Sequence, residues 1–153
     1  MRYGYDLLKR LRAQRVHSLV PRPYTDRKMN DKYRIAIDIE TQYLEDQSLP
    51  EEDRYVFAYT ITIRNAGSVP AKLLSRHWII TDGNGAVQEV QGAGVVGEQP
   101  HLQPGKQFRY TSGTVLDTPV GAMQGSYQLR ADDGHEFDVE IPVFRLSMPR
   151  TLH

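Results

Sequence analysis

The chain has 153 residues, which is enough for one domain with its own hydrophobic core. Hydrophobic residues make up 39% of it and charged residues 25%, the proportions of an ordinary globular protein. There is no cysteine, which excludes disulfide bridges and thiolate zinc sites and is consistent with a reducing cytoplasm. No apolar run approaches the roughly 18 residues of a membrane span, so we expect a cytoplasmic protein.

The nineteen Lys/Arg and nineteen Asp/Glu residues are distributed unevenly. Residues 1–28 contain eight basic and two acidic residues, a net charge of +6, whereas residues 29–153 contain eleven and seventeen, a net charge of −6. A nucleic-acid-binding surface needs an excess of basic side chains, so we expect no nucleic acid to bind residues 29–153. Residues 1–28 could form a membrane-surface anchor, a nucleic-acid arm or a basic N-terminal extension. We expect an extension that is dispensable for folding, because charge and periodicity change together at Met29.

From Met29 onward the hydrophobic pattern has a period of two, which is typical of half-buried strands. Strand candidates, separated by polar or glycine-containing turns, lie at residues 33–40, 55–64, 71–81, 86–91, 107–112, 121–130 and 136–146. Pro142 predicts that the last strand lies at a sheet edge or breaks there. About seven short strands with no convincing helix predict an all-β fold. We expect an immunoglobulin-like or fibronectin type III-like antiparallel β-sandwich with Trp78 buried between its sheets.

Residues 92–97, Gly-Ala-Gly-Val-Val-Gly, contain the letter pattern G-x-G-x-x-G. In dinucleotide-binding folds this pattern joins a strand to a helix, and the helix N-terminus binds the pyrophosphate. Here Pro100 and Pro104 follow closely, and prolines at these positions forbid a regular helix. The pattern therefore does not predict a dinucleotide-binding fold.

Two interpretations of the glycine pattern stay open. The glycines could be structural, because they allow a positive φ or a close approach of strands at a bulge. Alternatively, Gly92, Gly94 and Gly97 could form an anion or nucleotide site, in which successive backbone N–H groups hold a phosphate. Arg76 and Arg109 are the candidate counter-charges for that site.

The other polar residues form no catalytic or metal-binding pattern. The five histidines lack the i, i+2 or i, i+4 spacing of a metal-binding pair. Ser112 and Thr114 lie in the segment YTSGT, without the G-x-S-x-G environment of a nucleophile elbow. We therefore expect no catalytic residue, no metal site and no cofactor.

Several segments resemble the bacterial ApaG family closely: YVFAYTITIRNAG, RHWIITDGNG, EVQGAGVVGEQP, YTSGTVLDTPVGAMQGSY and IPVFRLSMPRTLH. The resemblance runs from Tyr33 to His153, so residues 29–153 are identified as an ApaG domain. This family is similar in fold to fibronectin type III domains, which agrees with the strand pattern.

The resemblance also has functional implications. The glycine pattern of the family has prompted suggestions of nucleotide or pyrophosphate binding, and the family name has been linked to cobalt and magnesium resistance. Related domains in eukaryotic F-box proteins and in a polymerase-interacting protein imply a protein-interaction module. We therefore expect a non-enzymatic binding module with a protein partner. The alternative is a small-molecule binder that holds pyrophosphate, a nucleotide or a phosphate–metal complex at residues 92–97.

Overall fold

The structure is a computed structural model that describes residues 31–150, so the predictions for residues 1–28 concern a segment outside this range. The described residues form eight β-strands: β1 (Ile35–Tyr43), β2 (Tyr55–Asn65), β3 (Ala71–Asp82), β4 (Val87–Ala93), β5 (His101–Leu102), β6 (Gln107–Leu116), β7 (Val120–Ala131) and β8 (Glu136–Ser147). All seven predicted strands are present, with ends that differ by a few residues, and the two-residue β5 is an addition. Short 3-10 helices at Glu45–Gln47 and Pro50–Glu52 lie between β1 and β2.

The strands form two antiparallel sheets. One sheet has the order β1-β2-β6, and the other has the order β4-β3-β7-β8, with β5 paired to the beginning of β3. The sheets face each other, and β1 packs against β8 at one side of the sandwich. The predicted antiparallel β-sandwich of the immunoglobulin-like or fibronectin type III-like kind is confirmed.

Strand β2 shows why the sequence adopts this fold. Its alternate residues Tyr55, Phe57, Tyr59, Ile61 and Ile63 are all buried, whereas Ala58, Thr60 and Thr62 between them are half-buried. Successive side chains of a strand point to opposite faces, so one face of β2 enters the core. Burial of each large apolar side chain contributes about 1.5–3 kcal/mol, which fixes the pairing register of the strand.

Trp78 on β3 joins the two sheets. Its side chain is 1% exposed, and its ring centroid lies 5.6 Å from that of Tyr59 on the opposite sheet. Phe144 and Tyr127, on the same sheet as Trp78, have ring centroids at 5.8 and 6.4 Å in edge-to-face orientations. The predicted burial of Trp78 between the sheets is confirmed.

The two sides of the sandwich differ. On the side where β8 ends its sheet, the pairing with β7 shifts register between Met123 and Gly125, opposite Pro142, as expected for a proline at an edge. All four terminal strands have a single paired neighbour within residues 31–150, but β1 and β8 pack against each other, whereas β4 and β6, on the other side, have no comparable contact. We call this second side, formed by β4, β6 and the turn that follows β4, the open side.

Replacing Trp78 by alanine should cost roughly 3–5 kcal/mol of unfolding free energy, because a large aromatic side chain is deleted from a packed core. Urea unfolding of the full chain measures this loss. The Val87→Ala variant is a suitable control, since Val87 is 62% exposed and its truncation should change stability by no more than about 0.5 kcal/mol. A loss below about 1 kcal/mol for Trp78→Ala would contradict its position as the joint between the sheets.

Candidate functional site

The chain makes a tight turn at the end of the glycine pattern, between Val95 and Glu98. The N–H of Val95 donates to the carbonyl of Glu98 at 2.8 Å, and the N–H of Glu98 donates back to the carbonyl of Val95 at 2.9 Å. Between them, Val96 and Gly97 have φ angles of 44° and 81°. Two central residues with positive φ define a two-residue turn of type I′, which we call the 95–98 turn.

Each glycine of the pattern has a structural reason. Gly94 has a φ of 61°, and a Cβ there would overlap the carbonyl oxygen of Glu98. A Cβ on Gly92 would lie 2.9 Å from Nη1 of Arg76, so the missing side chain leaves room for the guanidinium group. Gly97 supplies the positive φ of the turn without any close neighbour. The predicted positive φ is present at Gly94 and Gly97, and the predicted close backbone approach at Gly94, whereas Gly92 has no positive φ and approaches only the Arg76 side chain.

Several amides of the predicted anion site already have acceptors. The N–H of Gly94 donates to the carbonyl of Leu74 at 2.8 Å, and the N–H groups of Val95 and Glu98 donate across the 95–98 turn. A nest requires successive N–H groups that point at the anion. The role of Gly92, Gly94 and Gly97 in anion binding stays a prediction, and most of the attraction at this place would have to come from Arg76.

The side chain of Arg76 on β3 is held by residues 92–94 at the end of β4. It lies on β3 two residues before Trp78, on the same inward face, and it pairs in register with Gly92. Its Nη1 donates to the carbonyls of Ala93 at 3.1 Å and Gly94 at 2.9 Å. The side chain is partly buried, and within residues 31–150 no carboxylate lies at ion-pair distance from it. Residues 92–94 thus hold the guanidinium group of Arg76 in place, and no acidic side chain among residues 31–150 forms an ion pair with it.

The guanidinium group borders a cavity of about 230 Å³ between the two sheets on the open side. Its walls combine aromatic, aliphatic and hydroxyl-bearing residues from β2, β3, β4, β6 and the 95–98 turn: Tyr59, Arg76, Trp78, Val90, Ala93, Val95, Val96, Gly97, Tyr110 and Ser112. Arg76 is the only charged residue among them. The arrangement is suited to an anionic group attached to an apolar one.

Two phenol groups near the cavity, those of Tyr110 and Tyr127, are neutral. Tyr110 and Tyr127 share a short hydrogen bond between their phenolic oxygens, one from each sheet. Burial raises the pKa of both phenols above the usual value for tyrosine, and the positive charge of Arg76 opposes this only weakly. Neither phenol therefore carries a charge near neutral pH.

Arg109 lies elsewhere. Strand alternation directs it to the outer face of the three-stranded sheet, while its neighbour Tyr110 is directed into the core. There, its Nη2 lies 3.2 Å from a carboxylate oxygen of Glu40, and its Nη1 donates to the hydroxyl of Thr62 at 3.3 Å. The structure thus brings Arg76 together with Gly92 and Gly94 but does not bring Arg109 to them.

The sequence interpretation did not assign Tyr59, Tyr110, Ser112 and Val95 to a site. The alternation of β2 and β6 places Tyr59 and Tyr110 on inward faces, but it does not show which inward residues line a void. No group of three or more His, Asp or Glu side chains converges among residues 31–150. No helix in the same part of the chain is long and apolar enough to cross a bilayer.

These features define a β-sandwich domain of the fibronectin type III-like kind with a single arginine on the wall of an inter-sheet cavity. The sequence profile of the ApaG domain matches residues 45–131, and the chain belongs to the ApaG family. The ApaG proteins of Aromatoleum aromaticum and Erwinia tasmaniensis are similar to it. They are 63% and 55% identical over 124 and 125 residues, which cover 81% and 82% of this chain and 98% and 100% of the relatives.

A crystal structure from Bordetella pertussis, described as an ApaA protein, is similar to this chain in both sequence and fold. The two are 51% identical, with a TM-score of 0.77, and the alignment covers 79% of this chain and 98% of the other. A second crystal structure, described only as a structural genomics target, has 52% identity and a TM-score of 0.74. The similarity supports the sandwich and carries no statement about a ligand.

The Gly94→Ala variant should lose more stability than the Gly97→Ala variant. A left-handed φ costs alanine about 1–2 kcal/mol at either position. At Gly94 the added Cβ also overlaps the Glu98 carbonyl, which should raise the cost by at least about 1 kcal/mol more. Urea unfolding of both variants of the full chain tests this order. Equal losses, or a larger loss at Gly97, would contradict the close approach seen at Gly94.

Proposed function

We propose that this protein is a non-enzymatic, cytoplasmic binding module whose partner is another protein, contacted at the open side. Val96, at the tip of the 95–98 turn, carries the proposal. Its side chain is 53% exposed and its backbone has a φ of 44°. A β-branched residue is strongly disfavoured in this region of φ, and turns of type I′ favour Asn or Gly instead. Valine is thus unfavourable here both for the backbone and for contact with water.

A protein partner that covered Val96 would offset part of this cost. Full burial of a valine side chain contributes about 1.5–3 kcal/mol. Val87 on β4, which is 62% exposed, is a second large apolar side chain on the same sheet edge. The two valines lie at opposite ends of β4 and form no contiguous patch, so Val96 alone carries this argument.

The strand edges support the same surface. β4 and β6 each leave one edge without a neighbouring strand in the described part of the chain, whereas β1 and β8, which also have one paired neighbour each, pack against each other. Such an edge presents backbone N–H and C=O groups to which an extended segment of a partner can add as a further strand. Among residues 31–150, the lining of the cavity contains one arginine and hydroxyl-bearing side chains, and none of these described residues is an acid, a histidine or a lysine that would serve as a general base. These features favour binding without catalysis.

The Val96→Asn variant should separate stability from binding. Asparagine accepts the positive φ and exposure to water, so thermal stability should stay equal or rise, whereas recovery of the partner should fall several-fold. The measurement is a pull-down from the native lysate with the full chain, quantified against its melting temperature. Leu49→Asn is the matched control, because Leu49 is 42% exposed on the loop between β1 and β2. Unchanged recovery with Val96→Asn, or an equal loss with the control, would contradict the open side as the contact surface.

A second candidate function is the binding of a phosphate-containing small molecule, such as pyrophosphate, a nucleotide or a phosphate–metal complex, at the Gly92–Gly97 segment. The observation that favours it is the partly buried Arg76 without a described carboxylate partner. Arginine is well suited to phosphate oxygens. Binding of a phosphate–metal complex would account for the link between the family name and cobalt and magnesium resistance.

Titration of the full chain with diphosphate and with nucleotides, with and without Mg²⁺ or Co²⁺, should give weak amide chemical-shift changes in NMR spectra. We expect weak binding because the amides of Gly94, Val95 and Glu98 already donate to carbonyl groups, and we expect little discrimination between bases. Micromolar or tighter binding at physiological salt, lost in a folded Arg76→Gln variant and retained in Arg109→Gln, would favour the phosphate ligand over the protein partner.

A further inference from the structure

The size of the cavity restricts its ligand. Its volume of about 230 Å³ lies below the roughly 300–1,000 Å³ of pockets that enclose drug-sized molecules. It therefore accommodates one functional group with a short stem, and it does not enclose a nucleotide.

The hydrogen bonds of Arg76 restrict the shape of the charged group. Its Nη1 donates to the Ala93 and Gly94 carbonyls, which hold the guanidinium plane in place. Its Nε and Nη2 have no acceptor among the residues from 31 to 150. These two nitrogens form one edge of the guanidinium fork, and two parallel N–H donors fit the two oxygens of a carboxylate.

The charge around the cavity favours a monoanion. Among residues 31–150, Arg76 is the only charged residue on the walls, and residues 29–153 carry a net charge of −6. A diphosphate would bring several negative charges to a single cation inside a negatively charged domain, whereas a carboxylate brings one. The hydroxyls of Tyr110 and Ser112 can add hydrogen bonds without adding charge.

The remaining walls select the stem of the ligand. Val90 and Val96 contribute accessible aliphatic surface, whereas Tyr59, Trp78 and Val95 form the floor of the cavity and are at most 3% exposed. Apolar and aromatic walls with a few converging polar groups are usual in small-ligand sites, where the polar groups fix orientation. A flat apolar stem would gain free energy from this surface, while the carboxylate would fix its direction toward Arg76.

We propose that this cavity binds a single carboxylate on a flat apolar stem, with the carboxylate paired to Arg76 and the stem lying against Val90 and Val96, above a floor formed by Trp78 and Val95. A free aromatic acid and the C-terminal carboxylate of a peptide ending in an aromatic residue share this chemistry. In the second case the ligand belongs to the protein partner, and the inference then rests on the proposed function.

The direct test is an NMR titration of the full chain with benzoate, which reports on the Arg76 Nε–H, the Trp78 indole N–H and the amides of the 95–98 turn. These signals should shift together and saturate. Benzamide, which has the same shape without the charge, and inorganic phosphate, which has the charge without the stem, should each bind at least tenfold more weakly. The absence of saturable shifts with benzoate, or equal binding of phosphate, would overturn the proposal.

Variants locate the site independently. Arg76→Gln should weaken benzoate binding at least tenfold, whereas Arg109→Gln, on the outer face of the other sheet, should leave it unchanged. If Arg76→Gln does not fold, Ser112→Val adds methyl groups at the cavity wall and should also weaken binding, whereas Thr111→Val, its outward-facing neighbour, should not. Equal effects of Ser112→Val and Thr111→Val, or of the two arginine variants, would contradict the assigned cavity.

The source of the carboxylate is distinguished by N-acetylphenylalanine and its C-terminal amide. Binding of the acid but not of the amide supports capture of a peptide C-terminus and thus a protein partner. Binding of benzoate alone supports a free aromatic acid as the ligand. The carboxylate site would then stand, but it would no longer support a protein partner. Failure of both acids, benzoate and N-acetylphenylalanine, to bind, together with a partner still lost in Val96→Asn, would overturn the cavity proposal and leave the protein-binding proposal standing.

Discussion

The packing of Trp78 against both sheets is the contact on which the rest of the structure depends. Its ring lies edge-to-face with Tyr59 across the interior and with Phe144 in its own sheet, so that β2, β3 and β8 share one aromatic cluster. Because interiors are close-packed, the position of this ring fixes the spacing of the sheets. It also fixes the inward face of β3, on which Arg76 lies two residues earlier.

An inward-facing arginine is costly in a sandwich, because a buried charge requires polar partners. In this protein the position of Arg76 limits the free-energy cost of burying its charge. Arg76 lies on the open side, where β4 and β6 do not close the sandwich, and the carbonyls of Ala93 and Gly94 accept its Nη1 hydrogens. Gly92 makes this arrangement sterically feasible by leaving space for the guanidinium group. Gly92 and the carbonyl of Gly94 thus position the arginine beside the cavity, and the binding of a pyrophosphate at residues 92–97 stays a prediction.

The exposed turn and the cavity are neighbouring parts of one surface, since Val96 belongs to both. A residue that conflicts with local backbone preference is expected at functional sites more than elsewhere. A partner segment along the open side would cover the valine, pair with a strand edge and place a carboxylate against Arg76. These three contacts differ in chemistry, so each can be removed without removing the others.

The sequence by itself determined the class of the fold, because strand alternation is a local property of residues such as those of β2 and because turn glycines and prolines separate the strands. It also showed that the glycine pattern lacks its helix, since Pro100 and Pro104 follow it directly. Only the tertiary structure decided which arginine lies at the site. Arg76 and Arg109 were equivalent as counter-charges in the sequence, but the register of β3 with β4 places one over Gly92, and the alternation of β6 turns the other to the outer face. Pairing between distant strands sets which side chains meet, and no local pattern encodes that pairing.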